Sequence, residues 1–194
     1  MFTDQELIAA FKRGDIEALG LLIERHKAAL YGYLLRVTGR REAADDVFQE
    51  VWLKLARKPE TYRERDKFKA WIFTVARNAA MNYFRSENSR RAVVSSEGEL
   101  PQSAAESGAG MLDAAVSTEP GPHEIFENKV LGEKIAAAFG QLSPEQREIF
   151  YLRHYSDLSF REIAQMLGVP IGTVLARMSR ATALLRDEFE KGVQ

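Results

Sequence analysis

Between Arg57 and Lys69 the chain sets six cations, Arg57, Lys58, Arg63, Arg65, Lys67 and Lys69, around only three acids. Just beyond come Trp71, Phe73, Arg77, Asn78, Asn82, Tyr83, Phe84 and Arg85. Cations along a track hold phosphates by charge, and aromatic rings offer a face to an unstacked base. Side-chain amides can both donate to and accept from base edges. Together these groups suit a single nucleic-acid strand. They suit a solvated loop above a packed helix equally well, because Trp71, Ile72, Val75, Ala76 and Ala79 are needed for a core.

A second cationic set lies near the C-terminus. In IGTVLARMSRATALLRDEFE, Val174, Met178, Ala181 and Leu185 form an apolar stripe, while Thr173, Arg177, Arg180 and Arg186 face outward with no acid before Asp187. A helix entering a major groove carries short polar and cationic side chains near its N-terminus. Ahead of it, Ser159-Phe160-Arg161-Glu162 is a capping box that opens FREIAQML, Gly168 closes that helix, and Val169-Pro170 turns the chain. Helix, tight turn and arginine-bearing helix make a helix-turn-helix pattern, which favours DNA over an ordinary surface helix.

The third set is acidic. In ADDVFQEVWLKLA, Ala44, Val47, Phe48, Val51, Trp52 and Leu55 follow helical spacing and make one broad apolar stripe. Asp45, Asp46, Gln49 and Glu50 fall outside it, and Leu53 falls with them. The two aspartates suit the positive end of the helix dipole. Taken alone, the stretch reads as a solvated face more readily than as a docking surface.

The elements that must position these groups are helical. Thr3 with Glu6 predicts a capping box before LIAAF. After a turn at Gly14-Asp15, Ile16, Leu19, Leu22, Ile23, His26, Leu30 and Leu34 form the stripe of a helix that Gly39 closes. His26 reads as a packed neighbour of the core, not as a ligand. Pro59 ends the acidic helix, and 71–85 forms another. Ser143, Pro144 and Gln146 start a further helix in the C-terminal part. No segment alternates convincingly with period two. The expected fold is all-α: an N-terminal helical bundle over 1–90 and a C-terminal helix-turn-helix domain over 123–194. Residues 91–122, rich in Ser, Ala, Gly and Glu and lacking aromatics, are expected to form a flexible acidic linker.

Charge supports that division. A formal net charge of −1 hides 17 Lys/Arg against 13 Asp/Glu in residues 1–90, and one arginine against five acids in 91–122. The absence of cysteine excludes disulfides and thiolate metal sites, and His26, His123 and His154 show no ligand spacing. No nucleophile–base–acid set is present, so neither an enzyme nor a cofactor or metal is expected. No signal pattern or membrane-length apolar run occurs, so a soluble cytoplasmic protein without membrane insertion is expected.

Three stretches taken in order, ADDVFQEVWLKLA, FKAWIFTVARNAAMNYFR and LSPEQREIFYLRHYSDLSFREIAQMLGVPIGTVLARMSRA, resemble the extracytoplasmic-function sigma factors of bacterial RNA polymerase. The resemblance spans both helical parts, nearly everything outside the linker. It implies a non-enzymatic alternative sigma factor that directs promoter recognition, DNA melting and transcription initiation. The implied partners are core RNA polymerase (the clamp of its largest subunit and the flap of its second-largest), promoter DNA and an anti-sigma factor. By the same resemblance, Asp45, Asp46, Gln49, Glu50 and Leu53 would dock on the clamp. Arg63, Arg65, Lys67, Lys69, Trp71, Arg77, Asn78, Asn82 and Arg85 would hold the opened −10 strand. Thr173, Leu175, Ala176, Arg177 and Arg180 would read the −35 element.

This chain departs from the family pattern at two places. Many members carry Asp where Asn82 stands, and an amide can prefer a different base. Family recognition helices commonly read Thr-Val-Lys/Arg-Ser-Arg, whereas this one has Leu175 and Ala176 between Val174 and Arg177. A cation and a hydroxyl are thereby exchanged for groups that can meet only a thymine methyl. A helix-turn-helix regulator with a ligand or dimerisation domain is the main rival reading, but it leaves the acidic face and the basic–aromatic loop unexplained. An anti-sigma or adaptor protein would need no DNA-reading arginines.

Overall fold

A computed structural model describes residues 2–63, 67–95, 132 and 134–191, and every element among them is helical. In chain order these are α1 (Asp4–Lys12), α2 (Ile16–Thr38), α3 (Arg41–Arg57), a short 3-10 turn (Pro59–Thr61) and α4 (Phe68–Ser95). After a helical stretch at 134–140 come α5 (Pro144–Ser156), α6 (Phe160–Leu167) and α7 (Ile171–Lys191). They gather into two compact units: α1–α4 with Tyr151–Ile171, and the remaining described residues up to Phe150 with those from Gly172 onward.

Local chemistry sets the helix ends in the first unit. Thr3 accepts the Glu6 amide through Oγ1 while Glu6 takes the Thr3 amide at 2.7 Å, the expected capping box. Asp15 caps α2 by accepting the amides of Glu17 and Ala18. Gly39 ends α2 at φ 68°, a left-handed conformation that costs glycine no Cβ clash. The core runs through Leu7, Ile8, Leu22, Leu30, Leu34, Val47, Val51, Leu55, Ile72 and Phe73, all nearly inaccessible. His26 is buried among them, with Nε2 2.9 Å from Asp4 Oδ2 and its ring 5.3 Å from that of Phe68. Burial pushes its imidazole below the ordinary range, and Asp4 pulls it partly back.

Two sequence expectations need correction here. Ile16 belongs to no buried stripe, since it is 70% exposed at the first turn of α2. The helix expected at 71–85 runs from Phe68 to Ser95, so the first five residues assigned to the linker continue α4. The rest of the expected linker, 96–122, lies outside the described residues.

In the second unit Ala138, Leu142, Ala181 and Leu185 pack together, and Phe139 and Phe150, edge-on to each other at 5.1 Å, pack against them. Ser143 takes the Gln146 amide on Oγ and gives its own amide to Gln146 Oε1, so α5 starts as expected.

Candidate nucleic-acid interface

On α3 the predicted division between faces is visible residue by residue. Ala43, Ala44, Val47, Val51, Trp52 and Leu55 are buried, and Phe48 is half-buried. Asp46, Gln49 and Glu50 are exposed, and beside them Leu53 is 47% exposed. Asp45 differs from the others: it is half-buried and accepts the Tyr31 hydroxyl at 2.6 Å, so this carboxylate already serves the fold.

The basic loop is rooted by aromatic packing. Tyr62 and Phe68 are buried at its two ends, with rings edge-on at 5.5 Å. Trp71, half-buried, stacks on Phe68 at 5.9 Å and meets Tyr62 at 5.6 Å. Phe73 is fully buried against Tyr33 and so belongs to the core. Tyr83 accepts a hydrogen bond from Arg40 at 2.8 Å, which ties α4 to the start of α3. Arg63 and Lys67 are exposed, whereas Arg65 lies outside the described residues.

Lys67 meets Glu162 at 2.7 Å, and Lys69 meets Asp157 at 3.0 Å. Beyond the loop, Asn78, Asn82 and Arg85 are exposed on α4 and Arg77 is half-buried. Asn78 and Asn82 border a shallow notch between α3 and α4, together with Glu50 and Lys54, over a floor of Val51, Val75 and Ala79. Sequence reasoning passed over Lys54. The signal was its position one turn beyond Glu50, on the side that meets α4.

Glu162 does two jobs. It completes the capping box with Ser159 at the start of α6, and it faces Lys67. The Lys67 ammonium, then the Ser159 hydroxyl, hold its carboxyl at about 2, well below the ordinary 4.5. The charged form therefore stabilises the fold fully above pH 4.5, and this contribution is lost as pH falls toward about 2. Glu162→Gln keeps a residue suited to the capping box but removes the charge. Acid-unfolding curves of the variant are expected to lose this pH dependence. Stability at neutral pH should fall by no more than about 1 kcal/mol, because Lys67 is largely exposed.

The turn between α6 and α7 is three residues long and begins with Gly168 at φ 67°. On α7, Val174, Ala181 and Leu185 are buried and Met178 is half-buried. Leu175, Ala176, Arg180 and Arg186 are exposed, while Thr173 and Arg177 are half-buried. Leu175, at 46% exposure, stands on the surface that the helix presents outward. Among the described residues no group of three or more His, Cys, Asp or Glu is placed to hold a metal ion. No helix among them is long and apolar enough to cross a membrane.

Among the described residues the fold is all helical, with a basic loop rooted at Tyr62 and Phe68 and a helix-turn-helix formed by α6 and α7. Residues 22–90 match sigma-70 region 2, and residues 132–185 match sigma-70 region 4. The ECF RNA polymerase sigma factor SigL of Mycobacterium tuberculosis is 33% identical over 167 residues, 85% of each chain. The ECF RNA polymerase sigma-E factor of Haemophilus influenzae is 28% identical over 97% of this chain and 96% of its own. In fold, the chain is similar to CnrH in complex with the cytosolic domain of CnrY, with TM-score 0.66, 21% identity and 97% of both chains covered. It is also similar to the sigma factor RpoE bound to the anti-sigma factor NepR from Bartonella quintana, with TM-score 0.62, 24% identity, and 88% of this chain and 96% of that one covered.

The chain belongs to the ECF sigma factors of the sigma-70 family. It is an alternative sigma factor, which joins core RNA polymerase and directs promoter recognition and transcription initiation.

Proposed function

We propose a division of labour among the three surfaces. Asp46, Gln49, Glu50 and Leu53, with Asp45 at the edge, dock on the clamp of the largest polymerase subunit. Arg63, Arg65, Lys67, Lys69, Trp71, Arg77, Asn78, Asn82 and Arg85 hold the opened −10 strand. Thr173, Leu175, Ala176, Arg177 and Arg180 read the −35 element. Residues 1–90 act as the melting domain, with α4 running on to Ser95 ahead of a linker over 96–122, and 123–194 act as the −35 domain, which also meets the flap of the second-largest subunit.

The observation that carries the reading is Leu53, an apolar side chain left half in water among carboxylates and an amide. A leucine there gives the folded monomer little, yet it suits the apolar centre of a polar-rimmed interface. Glu50 shares a notch with Asn78 and Asn82, which supports a reading in which the docking and base-reading residues lie on neighbouring helices and one contact orients the other. Lys67 and Lys69 must exchange their present carboxylate partners for phosphates. That exchange offsets part of the binding energy and makes it salt-dependent.

The protein works without catalytic chemistry of its own, in the cytoplasm where its polymerase is. An anti-sigma factor is its third partner, a reading supported by the likeness to RpoE in complex with the anti-sigma factor NepR. The test is transcription in vitro with purified core polymerase on a promoter library, followed by start-site mapping. Accurate starts that depend on this chain are expected. Binding to promoter DNA without stimulation of transcription would overturn the reading.

A further inference from the structure

Helix α1 lies ahead of the region 2 match, which begins at residue 22, yet it is bound into the first unit at both ends. At its start Asp4 accepts Arg25 Nη1 at 2.7 Å and meets His26 Nε2 at 2.9 Å. The Phe2 carbonyl accepts Arg25 Nη2 at 2.7 Å. At its end Lys12 donates Nζ to the Tyr62 carbonyl at 3.1 Å and stands 5.6 Å from the centre of the Tyr62 ring. Tyr62 is 1% exposed, and the next residue is Arg63, an exposed cation of the basic loop. A charge-assisted hydrogen bond to that carbonyl fixes the Tyr62–Arg63 peptide, and with it the direction in which the loop leaves the core. The far end of the loop is held separately, by Phe68 against His26 and Trp71.

We propose that α1 braces the basic loop and that Lys12 is a positioning residue for capture of the −10 strand, acting through the Tyr62 carbonyl and not through DNA. The proposal rests on reading the loop as the strand-holding surface. It also explains why a lysine serves at this place: a long stem reaches the carbonyl across the seam between α1 and the 3-10 turn. The ring of Tyr62 shelters its ammonium at the same time.

The experiment uses two variants of the full chain. Lys12→Met keeps the stem and removes the donor, whereas Lys12→Arg keeps a donor and a charge. In the free protein, amide exchange at 62–69 is expected to rise about fivefold in the methionine variant, the scale of one lost hydrogen bond, with α2 and α3 unchanged. In the holoenzyme, affinity for a fluorescent non-template −10 strand should fall by a similar factor, affinity for core polymerase should hold, and arginine should restore both readouts. Lost strand affinity with an unaltered loop would make Lys12 a DNA contact and overturn the proposal. So would a rise in exchange spread over α1 and α2, which would mean general loss of packing. If the loop loosens but strand affinity holds, the positioning role falls. If Arg63→Ala with Lys67→Ala also leaves strand affinity intact, the reading of the loop falls with it.

Discussion

Replacing Asp46 and Glu50 together by arginine is expected to weaken binding to core RNA polymerase at least about a hundredfold. Removing two carboxylates loses two charge-assisted contacts, and the arginines add repulsion against whatever cations face them; close interfacial charge pairs couple by roughly 1.5–7 kcal/mol. Folding should hardly notice. Both side chains are exposed on α3, and substitutions at such positions stay within about 0.5 kcal/mol. The melting temperature and far-UV circular dichroism should therefore match the parent. Leu53→Ala separates docking from charge. Taking the rest of a half-exposed leucine out of water at an interface contributes on the order of 1.5 kcal/mol, so about a tenfold loss in core affinity is expected with an unchanged monomer. Calorimetry of the free protein decides the matter. A leucine variant that melts early would place Leu53 in the core and remove the apolar centre of the proposed interface.

The helices were legible because their signals are local. Thr3 with Glu6, Ser159 with Glu162, Gly39 and Gly168 each fix an end within one turn of sequence, and each stands where expected. The outward face of α3 was equally legible, since periodicity alone separates Leu53 from Val51 and Leu55.

Ile16 shows where periodicity stops. It shares a side of α2 with Leu34, which is fully buried, but burial at a helix end depends on whether another element covers that turn. The extent of α4 was hidden for a related reason. Residues 86–95 carry no apolar stripe, yet no glycine or proline interrupts them, and a helix already nucleated propagates cheaply. Phe73 was ambiguous between core and stacking face because an aromatic in a helix suits either, and only packing against Tyr33 separates the two. Lys12 could not be found from the sequence at all. Its partner lies 50 residues away and is a backbone carbonyl, which leaves no trace in side-chain pattern.

Reading of the −35 element should be weak in hydrogen bonding and concentrated at a thymine. Arg180 is exposed on α7 and Arg177 half-exposed, so each can supply one cationic contact, and alanine at either should weaken binding several-fold. If the contact is to phosphate, the loss is uniform across sequences and the salt slope falls by about one. Leu175 and Ala176, just ahead of both, are exposed and carry no polar atom beyond the backbone. They cannot make the bidentate pair that is worth roughly 1–3 kcal/mol at a guanine or adenine. What they can bury is a thymine methyl, worth about 0.8 kcal/mol, or roughly fourfold in affinity. Changing each −35 position in turn, and replacing thymine by uracil to delete only the methyl, separates these contributions. A roughly fourfold loss at one thymine-to-uracil change, abolished in Leu175→Ser, is the expected result. Strong preference for a guanine that survives both Arg177→Ala and Arg180→Ala would refute it, because only the Thr173 hydroxyl would then remain among the proposed polar readers, and it cannot make a bidentate pair. If the preference is as shallow as expected while transcription still starts accurately, precision must come from the −10 strand, where Asn78 and Asn82 present the exposed amides.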